Sequence, residues 1–315
     1  MRRFKQMISS QNSLLAKQPS TDQVLISIVT VVFNAVGTIE RTLRSIDAQD
    51  HPAIERIIID GGSTDGTMEI LERWRARIQV LQSGPDGGIY DAMNRGLSRC
   101  SGQLICMMNA DDWFAGPSVL SAVANAYVQA SQDAPNQQAN QLVIYGDFLM
   151  WVPWAGVVLR RRATAGTRFG MRMNHQSLFI HREVHARVGG YDLKCKLAAD
   201  FDLVVRMEKS GVRFVHLPQL VAVFAKGGSG DLNWLRFMFQ VAAVLRNHHG
   251  IGAQFIFLLS ALRKVIGRIV LGCVTSLPIA GLDRWMFKWV MKAKNDVEVR
   301  KPWFESMPHS SSAGP

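Results

Sequence analysis

The sequence has 315 residues, of which 48% are hydrophobic and 19% charged, and its formal net charge is +11. This composition is typical of a folded protein, excludes disorder over the whole length, and allows one large α/β domain or two smaller ones. Residues 25–250 carry 23 basic and 20 acidic residues without a basic stripe, so we expect no nucleic-acid partner.

Residues 1–24 contain four basic residues and one acidic residue, but no continuous apolar stretch with a cleavage site. They therefore do not predict a secretory signal, and we expect a flexible tail. The cysteines never form a C-x-x-C pair, which argues against a zinc ribbon and favours a reducing, cytoplasmic compartment. The four cysteines are Cys100, Cys106, Cys195 and Cys273.

The first half of the chain alternates between strand and helix patterns. Residues 25–33 form an apolar, β-branched run that is typical of a strand buried on both faces of a parallel sheet. Helical spacing follows at Ile39, Leu43 and Ile46, and the alternation continues, which predicts a doubly wound, mainly parallel α/β sheet. Further strands are predicted at 56–60, 78–81 and 104–109, and further helices around 70–74, 89–97 and 118–130.

The alternation weakens after a polar, low-complexity loop at residues 131–141. The later segments predict a small antiparallel extension of the sheet, with a helix at 200–209. No linker separates the two halves, so we expect one domain over residues 25–250. The predicted strands of the extension lie at 142–151, 157–161, 175–180 and 213–217.

The C-terminal region differs in composition from the rest. Two apolar runs, 251–262 and 269–282, are separated by basic residues, and neither reaches the length of about 18–20 residues that spans a bilayer as a helix. Residues 251–315 also carry nine basic and four acidic residues. We predict that 251–300 form a helical anchor in the plane of an anionic membrane surface, followed by a flexible tail at 301–315. The alternative is a helical hairpin packed on the protein's own core or on a dimer partner.

Ligands of open parallel sheets bind beyond the carboxyl ends of the strands. Asp60, followed by two glycines, ends the second strand, and Asp111 and Asp112 follow the fourth. No G-x-G-x-x-G follows the first strand and the sequence has no P-loop, so the common glycine-rich nucleotide motifs lack support. A carboxylate pair instead offers oxygen ligands to Mg²⁺ or Mn²⁺, which also bind phosphate oxygens. The sequence therefore predicts a nucleotide diphosphate bridged by a metal ion.

Seven blocks between about residues 25 and 230 carry a family resemblance. They are SIVTVVFNA, IIDGGSTDGT, GPDGGIYDAMNRG, MNADDWF, HQSLFIHREV, GGYD and AADFDLVVRM. In this order they resemble the family 2 glycosyltransferases of the GT-A fold, especially bacterial members that build surface polysaccharides. The resemblance implies transfer of a sugar, with inversion, from a UDP or GDP sugar to a hydroxyl of a lipid-linked oligosaccharide or polysaccharide, at the cytoplasmic face of the inner membrane.

The resemblance also assigns roles to single residues. Asp111 matches the last aspartate of the D-x-D motif and would bind Mn²⁺ or Mg²⁺. Asp200 matches the aspartate of the E-D motif, which is the general base. Asp60 would accept a hydrogen bond from the nucleotide base, and Asp112 would lie toward the donor sugar. The other predicted donor-binding residues are Thr30, Phe33 and Asn34 in the first loop, Gly62, Asp86, Asn94 and His175.

Two positions depart from the family pattern. Asn109 stands where the family often has the first aspartate of D-x-D, which removes one charge from the metal site. Ala199 stands where an acidic residue often precedes the base, which removes a neighbour able to raise its pKa. The two departures support the alternative of a catalytically silent GT-A scaffold at the membrane. A separate alternative is a polyprenyl-phosphate glycosyltransferase, which would favour a tighter C-terminal membrane attachment.

Taken singly, the carboxylates also have structural interpretations. Asp60 before two glycines predicts a turn closed by its own side chain, and Asp111, Asp112 and Asp200 could cap helices. The glycine-containing segment 224–230 predicts either a loop that closes over the donor or a simple turn.

Overall fold

The computed structural model describes residues 20–262, apart from 134–139, 153–156, 169 and 228–232. Nine strands within this part of the chain join into one sheet. The strands are β1 (Ile26–Val32), β2 (Ile54–Asp60), β3 (Val80–Ser83), β4 (Leu104–Asn109), β5 (Trp113–Phe114), β6 (Leu142–Val152), β7 (Val157–Arg161), β8 (Leu178–His181) and β9 (Arg213–Ala225).

The sheet order is β3-β2-β1-β4-β8-β6-β9-β5, with β7 paired to β6. β1 to β4 are mutually parallel, as the sequence predicts, and their carboxyl ends share one edge. β8 is antiparallel to both β4 and β6, and β6 runs parallel to β9. The later strands therefore extend the parallel half as a mixed sheet.

Helices cover both faces of the sheet. Strand β1 illustrates why two helical layers are needed. Val29 and Val31 pack in one apolar cluster, and Ile26 and Ile28 pack in another cluster on the opposite face. Both sets are buried, so each face needs its own helical layer. The helices are α1 (Ile39–Asp47), α2 (Thr67–Arg73), α3 (Ile89–Leu97), α4 (Val119–Gln132), α5 (Arg182–Val188), α6 (Ala199–Lys209), α7 (Trp234–His249) and α8 (residues 251–262).

The last strand of the sheet is longer than the sequence predicts. The prediction ends at residue 217 because Pro218 follows, and proline removes a hydrogen-bond donor from a strand. In the structure β9 continues to Ala225, and the register with β6 shifts between Gly146 and Phe148, opposite the proline. The interrupted ladder accommodates Pro218. β5, α5 and α7 are present although no pattern in the sequence predicted them.

The C-terminal prediction is only partly covered by the structure. α7 ends at Gly250, whose φ of +84° suits glycine, and α8 begins directly after it. α8 packs on α6 and α7 through Ala253 and Phe257. None of the described helices is both long enough and apolar enough to cross a bilayer. The predicted segments 1–19 and 263–315, and part of the loops at 131–141 and 224–230, lie outside the described residues.

Candidate active site

A cleft of about 1750 Å³ opens beside the carboxyl ends of β1 and β4. Residues from both halves of the sheet line it, so the two halves share one site. The structure brings six of the predicted site residues to its wall, which are Phe33, Asn34, Asp86, Asp111, His175 and Asp200.

Hydrogen bonds connect the loops after β1 and β2 at the wall of the cleft. Asn34 adopts a φ of +47°, a left-handed conformation that asparagine tolerates. Its backbone N–H donates to Ser63 Oγ (2.8 Å), and its side-chain Oδ1 accepts from Thr64 N (2.9 Å). This reciprocal pairing fixes both loops and holds Phe33, which is 63% exposed, at the cleft wall.

Asp60 lies behind this wall and is 1% exposed. Its carboxylate accepts hydrogen bonds from Gly62 N (3.0 Å), from the N–H and hydroxyl of Ser63, and from Ser83 Oγ (2.6 Å). The bond from Gly62 closes the turn that the sequence allowed as a structural interpretation. Gly62 itself has a φ of +87°, and Gly61 rather than Gly62 lines the cleft. Contact between Asp60 and a nucleotide base stays a prediction.

Asp111 reaches the cleft from the turn after β4. Arg41 of α1 holds this turn by donating to the Asp111 carbonyl oxygen (2.9 Å), while its guanidinium lies over the ring of Trp113. Burial raises the pKa of the Asp111 carboxyl, and the positive charges of Arg41 and His175 partly oppose this. A bound cation would favour the ionised carboxylate in the same way.

Asp112 does not reach the cleft, which corrects the predicted contact with the donor sugar. It is completely buried and accepts hydrogen bonds from Ala225 N (2.8 Å) and from the Gln176 side chain. Burial and the neighbouring Asp111 raise the pKa of Asp112 well above its ordinary value. This carboxyl group therefore ties the turn after β4 to the end of β9 and to the turn that carries His175.

Asp200 lies in the first turn of α6 and also lines the cleft. Its Oδ1 accepts from Tyr90 Oη (3.0 Å) and from Phe201 N (2.9 Å), and His175 Nδ1 lies 3.5 Å from Oδ2. Burial raises the pKa of Asp200, but the contacts from His175, Phe201 and Tyr90 outweigh it and leave the pKa below the ordinary value. The carboxylate therefore stays ionised at neutral pH, while 17% of the side chain remains exposed.

α6 is fixed by a second carboxylate on its buried side. Asp202 accepts from Arg206 Nε (2.7 Å), and His248 Nε2 of α7 lies 3.0 Å from its other oxygen. Arg206 also donates to the carbonyl oxygens of Val188 and Gly190. This network joins α6 to α7 and to the loop after α5, so the first turn with Asp200 has a defined position.

Thr30 and Asn94, which were also predicted to bind the donor, do not line the cleft. Thr30 belongs to β1, not to the loop after it, and is fully buried between Ile58 and Met108 of the flanking strands. Asn94 bonds with both the N–H and the carbonyl of Tyr191, so its amide joins α3 to the loop before α6. Thr30 is therefore too deeply buried to contact a donor, which corrects that prediction, whereas donor contact by Asn94 stays a prediction. A sequence motif does not distinguish side chains that contact a ligand from those that support the site.

Several residues that line or support the cleft were not predicted from the sequence. Tyr90 lies within the motif GPDGGIYDAMNRG and donates to Asp200, 110 positions away. Its hydroxyl keeps its proton because burial, and then the charge of Asp200, raise its pKa. Arg161, Lys196 and Lys226 line the cleft from β7, the loop before α6 and the end of β9. The sequence marks Arg161 through the basic run Arg160-Arg161-Arg162 and Lys226 through the glycine-containing segment 224–230, but it offers no signal for Lys196.

The described residues contain no group of three or more His, Cys, Asp or Glu side chains that could hold a metal ion. A metal at the predicted site would therefore depend on few protein ligands. Asp111 offers a carboxylate at the cleft wall, and the buried Asn109 Oδ1 has no hydrogen-bond partner. One carboxylate, one amide oxygen, phosphate oxygens and water form a donor set that suits Mg²⁺ or Mn²⁺.

Known proteins resemble this chain in sequence and in fold. An uncharacterised glycosyltransferase of Mycobacterium tuberculosis is 33% identical over 192 residues, which cover 59% of this chain and 70% of the relative. A putative teichuronic acid biosynthesis glycosyltransferase of Bacillus subtilis is 37% identical over 91 residues, or 28% of this chain and 36% of the relative.

Among solved structures, a mannosyltransferase of Pyrobaculum calidifontis in complex with GDP-Man and Mn²⁺ superposes with a TM-score of 0.53. The superposition covers 90% of each chain at 17% sequence identity. This likeness confirms the predicted GT-A fold. The sequence model described as Glycosyl transferase family 2 matches residues 27–184, which is half of the chain, and the protein therefore belongs to that family.

Proposed function

We propose that this protein is an inverting, metal-dependent glycosyltransferase of surface polysaccharide biosynthesis. Its donor would be a UDP or GDP sugar, and its acceptor a hydroxyl of a lipid-linked oligosaccharide or polysaccharide. The observation that supports this most directly is that Asp111 and Asp200 line one cleft, with His175 in contact with the second and close enough to influence the first. A carboxylate able to hold a metal ion and an ionised base that line one cleft suit an inverting displacement.

The donor end offers the groups that a nucleotide diphosphate requires. Phe33 presents an exposed ring on which a base can stack, and Asn34 and Asp86 line the same wall. Asp111, with Asn109, would hold Mn²⁺ or Mg²⁺ against the diphosphate. The ion, when bound, neutralises the charge that develops on the departing phosphate oxygens. The B. subtilis relative's name, teichuronic acid biosynthesis, supports the assignment to surface polysaccharides.

Asp200 is proposed to accept the proton of the acceptor hydroxyl. The hydroxyl oxygen then bonds to the anomeric carbon as the bond from that carbon to the diphosphate oxygen breaks, and the diphosphate leaves with the electron pair. Tyr90 and His175 hold the carboxylate in place and keep it ionised in the absence of substrate. Tyr90 and His175 are therefore proposed as positioning residues.

We also propose that the protein attaches peripherally to the cytoplasmic face of the inner membrane. The outward faces of α7 and α8 expose large apolar side chains, including Phe239 (66%), Ile251 (72%) and Phe255 (63%). Exposed apolar patches of this kind mark interaction surfaces. The basic residues of 263–301 follow directly in the sequence and suit anionic lipids.

Calorimetric titration with GDP and UDP, in the presence of Mn²⁺ and then of EDTA, tests the proposed donor site. We expect saturable binding of at least one nucleotide, weakened by EDTA and by Asp111→Asn. Asp133→Asn is the matched control, because Asp133 is exposed and lies outside the cleft wall. If neither nucleotide binds, or if Asp111→Asn binds as tightly as the control, the proposed donor site is wrong.

A further inference from the structure

A second, much smaller cavity adjoins the proposed base. It measures about 10 Å³, which is about the space that one water molecule requires. His175 and Asp200 line both this cavity and the cleft, so the two spaces meet at this pair of side chains. β4, β8, α5 and α6 supply most of its wall. We call this space the rear cavity.

His185 of α5 brings a polar group to the rear cavity that the proposed mechanism does not use. The residue is 6% exposed, and neither ring nitrogen forms a hydrogen bond with a residue that the structure describes. Burial lowers the pKa of His185 to about 4, and the backbone of Gly189, which favours the charged form, offsets this only in part. At neutral pH the ring is therefore neutral, and it offers one N–H donor and one lone pair.

His175 has a complementary requirement on the same cavity. Its Nδ1 lies 3.5 Å from Asp200 Oδ2, whereas its buried Nε2 has no hydrogen-bond partner within the described part of the chain. The hydrogen bond made by one ring nitrogen determines whether the other nitrogen carries the proton. In neutral His175, a donor placed at Nε2 occupies the lone pair there and keeps the proton on Nδ1, toward Asp200.

One water molecule can meet the needs of both histidines. Buried polar atoms without partners are costly, and buried waters typically bond to two to four such groups. The rear cavity offers four polar residues, His175, His185, Tyr191 and Asp200, and the rest of its wall is apolar. Water has two protons to donate, so it can bond to His175 Nε2 whichever nitrogen of His185 faces it.

We propose, on the basis of the proposed function, that His185 is a further positioning residue that acts through one buried water molecule. The water donates to His175 Nε2 and bonds to the ring of His185. This chain of hydrogen bonds holds the His175 ring in the orientation in which Nδ1 faces Asp200. The carboxylate of Asp200 is thus supported from the rear cavity as well as by Tyr90, and its side toward the cleft is left for the acceptor hydroxyl.

Nuclear magnetic resonance of the full-length protein, labelled with ¹⁵N-histidine, tests the water and its contacts. At pH 8.5 we expect the His175 proton on Nδ1, and water cross-peaks to the ring protons of both His175 and His185. His185→Leu removes both nitrogens at nearly the same volume. The water cross-peak to His175 should then disappear, and its Nδ1 proton should exchange with solvent at least about tenfold faster. Absence of water cross-peaks in the unmodified protein, or an unchanged His175 spectrum in His185→Leu, would overturn the proposal.

Hydrolysis of UDP-GlcNAc and GDP-mannose, in which water replaces the acceptor, tests the effect on the base. His185→Leu should lower kcat about three- to tenfold at unchanged donor KM, which is the effect of one lost hydrogen bond. His185→Gln keeps polar atoms at this position and should lose less than about twofold. Equal kcat in the Leu and Gln variants would overturn the positioning role.

His181→Leu is the matched control for a merely structural effect. His181 is also a buried histidine, and burial lowers its pKa to about 4, but it lines neither the cleft nor the rear cavity. Its Nδ1 accepts from Glu183 N at the start of α5 (3.2 Å). His181→Leu should therefore unfold more easily and yet keep the kcat and the His175 spectrum of the unmodified protein. A loss of kcat equal to that of His185→Leu would overturn the proposal.

The two measurements separate this inference from the proposed function, because the spectra require no turnover. Turnover without water cross-peaks in the unmodified protein overturns the inference alone. Absence of turnover with either donor overturns the proposed function, and with it the positioning role of His185, whether or not the water is present.

Discussion

The wall of the cleft is built in two different ways. Loops that directly follow β1 and β2, which we call the donor half, are fixed by hydrogen bonds such as those between Asn34, Ser63 and Thr64. One strand face, from β6, and two helix faces, from α7 and α8, supply a mostly apolar wall. The donor half is therefore suited to a polar ligand recognised by precise geometry, whereas the apolar wall is suited to an apolar group recognised by shape.

The largest expected effect comes from Asp200→Asn. Loss of a general base should lower the rate by about 10² to 10⁴, while nucleotide affinity stays close to that of the unmodified protein. Release of nucleoside diphosphate during slow donor hydrolysis, in which water replaces the acceptor, provides the rate. Asp133→Asn is again the control. Retained turnover would show that Asp200 is not the base.

Asp112→Ala tests the connection of the turn after β4 to the end of β9 and to Gln176. The variant leaves Ala225 N–H and the Gln176 amide without their partner, so unfolding should become easier by about 2 to 4 kcal/mol in urea denaturation. Asp133→Ala, on an exposed site, should change stability by less than about 0.5 kcal/mol. If Asp112→Ala instead lost donor affinity at unchanged stability, the original prediction of a donor contact would be right and the structural role wrong.

Gly96→Ala tests how rigidly the donor half is packed. A Cβ at Gly96 would lie 2.3 Å from Val29 Cγ1, so α3 would have to move away from β1. We expect a loss of about 1 to 3 kcal/mol in the free energy of unfolding, since overpacking outweighs the gain from removing a helical glycine. Gly116→Ala meets no atom within 4 Å and is the matched control. Equal stability of the two variants would mean that α3 can move away from β1 without lowering the free energy of unfolding.

Tyr90→Phe should have the smallest effect and a distinctive pH dependence. Removing the hydroxyl removes one hydrogen bond that lowers the pKa of Asp200, so this pKa should rise. Because the base must be ionised, the rising limb of the pH–rate profile should move to higher pH. The three- to tenfold loss of rate should be confined to acid pH, at or below about 4, and should vanish at neutral pH, where the carboxylate is ionised in both proteins.

Tyr127→Phe, which removes a hydroxyl from α4 outside the cleft, should leave the Asp200 limb of the profile unchanged. A Tyr90→Phe profile that coincides with the Tyr127→Phe profile would remove Tyr90 as a positioning residue.

Much of the fold could be predicted because strand and helix patterns depend on residues that are neighbours in the sequence. A run such as residues 25–33 forms a strand wherever both faces of the sheet are covered, and β1 to β4 lie where the sequence predicts them. β9 was predicted too short because Pro218 suggests an end to the strand, and only its pairing with β6 shows where the ladder is interrupted.

Six of the predicted site residues line the cleft, and Thr30, Asp60, Gly62, Asn94 and Asp112 do not. A motif marks residues that the site requires, whether they contact a ligand or support those that do. The contacts of Asp60 and Asn94 show the difference, because their hydrogen-bonding groups are used within the protein.

By itself, the sequence determined the alternation of strands and helices, the carboxylates at the strand ends and the family to which they point. Tertiary structure alone decided that Tyr90 bonds to Asp200 and that Asp112 faces inward. It also decided that two helix faces join a strand face to make an apolar wall. The physical reason is that periodicity and turn formation depend on neighbouring residues, whereas the environment of a side chain depends on segments that meet only after folding.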